Sequence, residues 1–162
     1  MKVISRNKAR SRRGVMADRT SSTIKINAGK SAIMEVIADY PAYPTWADGI
    51  KSAEVLKSYP DGRPEIVRIS LASGPISDTY SMRLVWVGDD ELHWDLAEPG
   101  SVVTSMKGSY VLAEVSEEVT EVTYELAVDV KIPMIGMFKR KAEKIIIDAA
   151  LKGLKRHVEK PA

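Results

Sequence analysis

Cysteine is missing from all 162 residues of the chain. That absence removes disulfides, thiolate metal sites and cysteine nucleophiles together, and it suits a reducing compartment. Histidine is nearly as scarce, with only His93 and His157. A zinc centre ordinarily takes three or four nitrogen or sulfur ligands, so no metal is expected. No apolar run approaches the ~18 residues that span a bilayer as a helix. The sequence also lacks a glycine-rich phosphate loop, a dinucleotide fingerprint and a nucleophile elbow; Gly74-Pro75 and Gly88 read as turns. Repeats and low-complexity linkers are absent too. These gaps leave one domain, expected in the cytoplasm and without a cofactor.

Acidic residues are absent from residues 1–15, which carry Lys2, Arg6, Lys8, Arg10, Arg12 and Arg13. Setting these six aside leaves 18 basic residues against 22 acidic ones, so the body is net acidic and the basic pI belongs to the leader. The leader has no apolar stretch of the kind a secretory signal needs. It reads as a disordered tail, or as an upstream start before a natural Met16, with residues 16–162 as the folded domain. A basic run attracts phosphates without regard to sequence, but no nucleic-acid partner is expected from this one.

What is present alternates. Thr20–Asn27 is β-branched with period two and predicts a first strand. Lys30–Asp39 changes period and predicts a short helix, ended by Tyr40-Pro41 because the residue before proline avoids the α region. Tyr43–Asp48, with Trp46, predicts a second short helical turn. Six strands then follow in hairpin series, over about 50–58, 65–72, 76–87, 91–96, 102–115 and 119–132. Turn signals such as Tyr59-Pro60-Asp61-Gly62 separate them. Pro133 suits a first helical position, and Ile135, Phe138, Ala142, Ile145 and Ala149 predict a long final helix with an apolar face. Gly153 is its weak point. One helix that long needs a broad apolar surface, which only a strongly curved sheet supplies. The expected architecture is α+β: a seven-stranded curved antiparallel sheet around a long C-terminal helix, with two short helices after the first strand.

Three stretches carry a family resemblance. Tyr40-Pro41-Ala42-Tyr43-Pro44-Thr45-Trp46, preceded by Asp39, is similar to the D-x-x-x-Y-P-x-W element of bacterial cyclase-like proteins. Thr120–Leu126 is similar to the strand before their final helix. Ile132-Pro133-Met134-Ile135-Gly136 is similar to the P-x-P-G entrance to that helix, with a methionine breaking the proline pattern. Over about residues 20–158 the chain resembles the START-related, or SRPBCC, superfamily of polyketide cyclases and aromatases, birch-pollen allergens and coenzyme Q-binding proteins. The resemblance implies a helix-grip fold with a ligand cavity between sheet and helix. It does not name a ligand, since fold and function are separable.

Strand parity supplies the candidate lining. Tyr80, Met82, Leu84 and Trp86 share one face, as do Leu92, Trp94 and Leu96. Met106 and Tyr110 join them from the sixth strand and Tyr124 from the seventh. Trp46 is expected to close one end, with Phe138 and Ile145 on the helix side. Such a stripe can be plain core, but a bent sheet against a straight helix leaves a wedge that side chains fill incompletely. The expected ligand-binding set is therefore Trp46, Tyr80, Met82, Trp86, Trp94, Met106, Tyr110, Tyr124, Phe138 and Ile145. Aromatics with one polar tip suit an oily ligand, and methionines adapt to irregular ones.

Catalysis would need an acid–base group within hydrogen-bonding reach of the ligand. Asp78 and Tyr80 share a face and are the weak catalytic candidates; Tyr110 and Tyr124 are further ones, and Arg83 has the opposite parity. His93 and His157 read as solvated. The main expectation is binding of a small hydrophobic or lipid-like molecule such as a lipid, isoprenoid quinone or polyketide. The alternative is a polyketide cyclase or aromatase using the same cavity. A module that binds only proteins would instead show a filled wedge and an exposed apolar patch. The final helix is strongly basic after Lys139, which suits its C-terminal dipole and also allows peripheral contact with an anionic membrane.

Overall fold

The structure, a computed structural model, describes residues 19–73, 76–131 and 136–161. The leader, the Gly74-Pro75 turn and Pro133 lie outside the described residues. In chain order the elements are β1 (Thr20–Ile26), α1 (Lys30–Ala38), a 3₁₀ helix (Tyr40–Thr45), β2 (Ile50–Ser58), β3 (Pro64–Ser73), β4 (Ile76–Val87), β5 (Glu91–Glu98), β6 (Val103–Ser116), β7 (Val119–Val130) and α2 (Gly136–Glu159).

Local sequence accounts for the short helices. Ile33, Met34 and Ile37 form the buried face of α1. The chain after Asp39 cannot continue as α-helix, because Pro41 and Pro44 have no N–H to donate. It tightens into a 3₁₀ helix instead, with Ala42 N–H donating to the Asp39 carbonyl at 3.2 Å and Trp46 N–H to the Tyr43 carbonyl at 3.0 Å. The Tyr43 hydroxyl donates back to the Ile37 carbonyl at 2.5 Å and ties the two helices together.

All strand pairs are antiparallel, in the order β1-β7-β6-β5-β4-β3-β2. β2 to β7 form a meander. β1 does not extend it: the helical segment carries the chain across, and β1 pairs with β7, Thr20 opposite Leu126 and Ile26 opposite Thr120. The six strands expected in hairpin series are β2 to β7, and the first strand joins the sheet by docking on the last of them. Register shifts interrupt the β2–β3, β4–β5 and β6–β7 ladders. Bulges of this kind bend strands and raise their twist, which curves the sheet. Along β7, Thr120, Val122, Tyr124, Leu126 and Val128 are buried on the concave face.

The helix is rotated from the expected stripe. Glu143, Ile147, Leu151 and Leu154 are its buried side chains among the described residues, and Ile145 is 58% exposed. Three consecutive isoleucines, 145 to 147, satisfy two phases of the 3.6-residue repeat, so spacing alone could not choose between them. Glu143 decides the phase. One carboxylate oxygen accepts from the Thr20 hydroxyl at 2.6 Å, the other from Val128 N–H at 2.9 Å. β1 begins opposite Leu126, so among the described residues Val128 N–H has no strand partner on that side, and it donates to the glutamate. A buried N–H left unpaired would cost about 1–3 kcal/mol. Further along, Lys144 Nζ donates to Ser22 Oγ at 2.7 Å, Lys155 Nζ to the Lys25 carbonyl at 2.8 Å, and Asn27 N–H to Glu159 at 2.6 Å. These contacts fasten α2 along β1.

Candidate functional site

With α2 held at the β1 edge, the concave face of β3 to β6 is not fully covered. A hollow of about 370 Å³ lies there. Its sheet walls are Ile69 and Leu71 of β3, Tyr80 and Met82 of β4, Trp94 of β5, Met106 and Tyr110 of β6, and Tyr124, Leu126 and Val128 of β7. Ile146, Ala149 and Ala150 of α2 form the opposite wall, with Ile145 at its lip, and the segment from Tyr40 to Ile50 closes one end. The volume is in the range of small-molecule sites, roughly 300–1,000 Å³.

Trp94, Tyr110 and Tyr124 make the floor. Their ring centroids lie 4.7–5.7 Å apart, with Tyr124 edge-on to both others. Space above them depends on Gly108, the cross-strand partner of Trp94. A Cβ there would come within 2.2 Å of the indole ring, so only glycine lets Trp94 lie flat on the strand. At the closed end Tyr40 stacks on Tyr43 at 4.3 Å, Tyr43 meets Trp46 at 4.7 Å, and His157 stacks on Trp46 at 6.1 Å. Gly153, the expected weak point of the helix, permits this: a Cβ there would sit 2.5 Å from the Trp46 carbonyl oxygen.

The polar groups of the hollow are mostly donors without acceptors. Burial pushes the Tyr80, Tyr110 and Tyr124 hydroxyls well above the ordinary tyrosine range, so they stay neutral. None of the three makes a hydrogen bond among the described residues. The indole N–H groups of Trp46 and Trp94 are likewise buried without a partner. Buried tyrosine and tryptophan normally find partners. Asp48, at the mouth, is the one charged residue lining the hollow among the described residues.

Of the residues singled out from the sequence, Trp46, Tyr80, Met82, Trp94, Met106, Tyr110 and Tyr124 meet around this space. Ile145 borders it from an exposed lip and not from an inner wall. Trp86 does not reach it. It has the inward parity, but it sits beside its cross-strand partner Leu92, and the fully buried Leu84 stands between it and Met82 on β4. Its indole N–H donates to the Pro64 carbonyl at 2.8 Å, and the Arg63 guanidinium lies 5.0 Å over its ring. Phe138 lies in α2, but its side chain is outside the described residues.

Asp78 is committed elsewhere. Its carboxylate accepts the backbone N–H groups of Ser101 (2.9 Å), Val102 (2.9 Å) and Val103 (2.7 Å), pinning the β5–β6 loop. Burial works to raise its carboxyl, but these bonds and one from Thr79 outweigh it and hold the group below its ordinary range. Gly100 is required beside it, since a Cβ there would come within 2.1 Å of the carboxylate. No hydrogen bond joins Asp78 to Tyr80 among the described residues, although the Asp78 charge helps to raise the Tyr80 hydroxyl. Arg83 and His93 are exposed, as parity indicated.

Some lining residues had no place in the expected set. Tyr40 and Tyr43 stood inside the motif but read as fold signature. Ala149 and Ala150 carried a usable signal: paired alanines facing a broad aromatic floor leave space. Among the described residues no group of acidic or histidine side chains could hold a metal, and no helix is long and apolar enough to cross a membrane.

A curved seven-stranded antiparallel sheet closed over an apolar hollow by a C-terminal helix defines a START-like helix-grip protein. The chain belongs to the polyketide cyclase/dehydrase and lipid transport family, whose model matches residues 26–155. Among solved structures it is similar to a START superfamily protein from Mycobacterium smegmatis, with 24% identity and a TM-score of 0.81 over 87% of this chain and 97% of that one. It is also similar to the Zhui aromatase/cyclase from Streptomyces sp. R1128 (15%, TM-score 0.73, 87% and 93%) and to a protein from Thermus thermophilus (18%, TM-score 0.71, 86% and 96%). Identities this low show a shared fold alone. No curated protein matches the sequence.

Proposed function

We propose that the protein binds a small hydrophobic or lipid-like molecule in the hollow between the sheet and α2. One observation carries the reading: an apolar space of about 370 Å³ is lined by neutral tyrosine hydroxyls and by the indoles of Trp46 and Trp94, whose buried N–H groups have no partner among the described residues. A dry cavity lined by hydrocarbon alone is tolerable. Orphan donors in one are costly, and a ligand with carbonyl, quinone or hydroxyl oxygens relieves that cost. Native mass spectrometry and solvent extraction of the purified protein test it. A bound apolar mass is expected; a protein that is always empty and takes up no added 1-decanol overturns it.

The second reading is a cyclase or aromatase acting in the same space. It is favoured by the buried, neutral hydroxyls of Tyr80, Tyr110 and Tyr124, which could hold a developing enolate oxygen. Turnover of a poly-β-ketone analogue, lost in Tyr80→Phe, would establish it over simple carriage. Carriage also includes a place to load. We assign that to the cytoplasmic face of a membrane, reached through the basic end of α2, where anionic vesicles should retain the protein at low salt.

A further inference from the structure

Beside the apolar hollow lies a second, polar one. The two share Trp46, Ala47, Asp48, Gly49, Ile50 and Ala72, so each opens on the same rim. The polar space is bordered by Lys51, Arg156, His157 and Lys160. Elsewhere on α2, Lys139 pairs with Asp129 at 3.1 Å, Lys144 with Asp148 at 2.9 Å and Lys155 with Glu159 at 2.7 Å; Lys141 and Lys152 make no ion pair among the described residues but border neither space. Lys51, Arg156 and Lys160 have no ion pair or hydrogen bond among the described residues, and Asp48 is the one carboxylate on their rim. Trp46 stands between the two spaces, 7% exposed, with its N–H buried and unpartnered.

From this juxtaposition we infer that the ligand is an amphiphile: its chain fills the apolar hollow and its anionic head rests among Lys51, Arg156, His157 and Lys160. The inference rests on the proposed binding role of the hollow and names the class of molecule it takes. Cations gathered on one rim without ion pairs of their own attract an anion. A head oxygen arriving at the boundary also offers the Trp46 N–H an acceptor. Carboxylate and phosphate heads share this chemistry.

The test compares decanoic acid, decyl phosphate and 1-decanol by titrating intrinsic tryptophan fluorescence of the full chain at low and high salt. The acid should bind about tenfold tighter than the alcohol at low salt, since each of three exposed cations contributes a modest factor. High salt should shrink that ratio. The variant Lys51→Gln/Arg156→Gln/Lys160→Gln should bring it to about twofold or less. A charge-matched variant with Lys57, Arg68 and Lys107 changed to Gln, none of them bordering either space, should keep the wild-type ratio. A stronger preference for decyl phosphate over decanoate assigns a phosphate head; the reverse assigns a carboxylate. Equal binding of acid and alcohol, or a ratio that falls in the charge-matched variant as well, overturns the inference and leaves the hollow's role intact. If none of the three probes binds, the hollow's role is lost and the inference with it.

Discussion

Along its β1 flank, α2 is fastened by side chains: Glu143 to Thr20 and Val128, Lys144 to Ser22, Lys155 to the Lys25 carbonyl. Along the opposite flank it offers Ile146, Ala149 and Ala150 to a space that the sheet does not fill. Both flanks belong to one straight rod against one bent surface. Hydrogen bonds are directional and fix distance and rotation together, so fastening one side sets how far the other stands off. The polar flank is thus the reason the apolar flank can stay open. In most cores apolar packing closes such gaps; here rotation toward the gap would break the Glu143 bonds.

The sharpest way to break the comparison is to remove the fastening. Glu143→Ala strands Val128 N–H and the Thr20 hydroxyl, and should cost about 3 kcal/mol. That corresponds to a melting temperature lowered by roughly 6–12 °C. Glu143→Gln, which keeps an acceptor oxygen, should lose less. Melting of the alanine variant within about 2 °C of wild type would show that apolar packing alone positions the helix.

The open flank answers to the opposite kind of change. Ala150→Leu adds carbon where there is room, so it should leave stability unchanged or raise it by about 1–2 kcal/mol while removing ligand binding. If the interior were solid, the same change would cost about 1–3 kcal/mol, which thermal melts would detect. Gly108→Ala attacks the space from below. Its Cβ would meet the Trp94 ring at 2.2 Å, tilting the indole into the hollow. Weaker uptake of 1-decanol and a shifted tryptophan emission are expected.

How far these flanks were legible in the sequence depends on which coordinate is asked for. Strand parity placed Tyr80, Met82, Trp94, Tyr110 and Tyr124 on the concave face, because alternation is a local property of a strand. It says nothing of position along the strand, so parity alone includes Trp86 in the lining although the buried Leu84 stands between it and Met82. Helix phase was ambiguous at Ile145, Ile146 and Ile147, and the residue that settles it, Glu143, looks like a solvent-facing charge. The cationic rim was illegible for a plainer reason. Lys51 and Arg156 lie about a hundred residues apart in the chain and meet only through the fold.

A smaller effect comes from Asp78, which pins the loop at the hollow's end. Its carboxyl is held below the ordinary range. A group whose folded pKa is depressed contributes stability that is complete above its unfolded value, about 3.9, and is lost as pH falls through the lowered one. Asp78→Asn should therefore lower the melting temperature by a few degrees near neutrality, and the difference from wild type should narrow below about pH 4. A difference that stays constant through that window would mean the loop is held by something other than the charged carboxylate.

The smallest change separates the flanks most finely. Ile145 and Ile147 are two residues apart, yet Ile145 is 58% exposed at the lip of the hollow and Ile147 is fully buried on the fastened side. Truncating a fully buried isoleucine typically costs about 2–5 kcal/mol, and Ile147→Ala should follow that rule. Ile145→Ser should cost under about 0.5 kcal/mol, as exposed positions do. Its effect belongs to binding: an apolar chain passing the lip loses one contact, and affinity should fall about threefold to fivefold. A stability loss at Ile145 comparable with that at Ile147 would place the lip inside the packed core and close the entrance, because the residue would then be supporting the helix instead of bordering a way in.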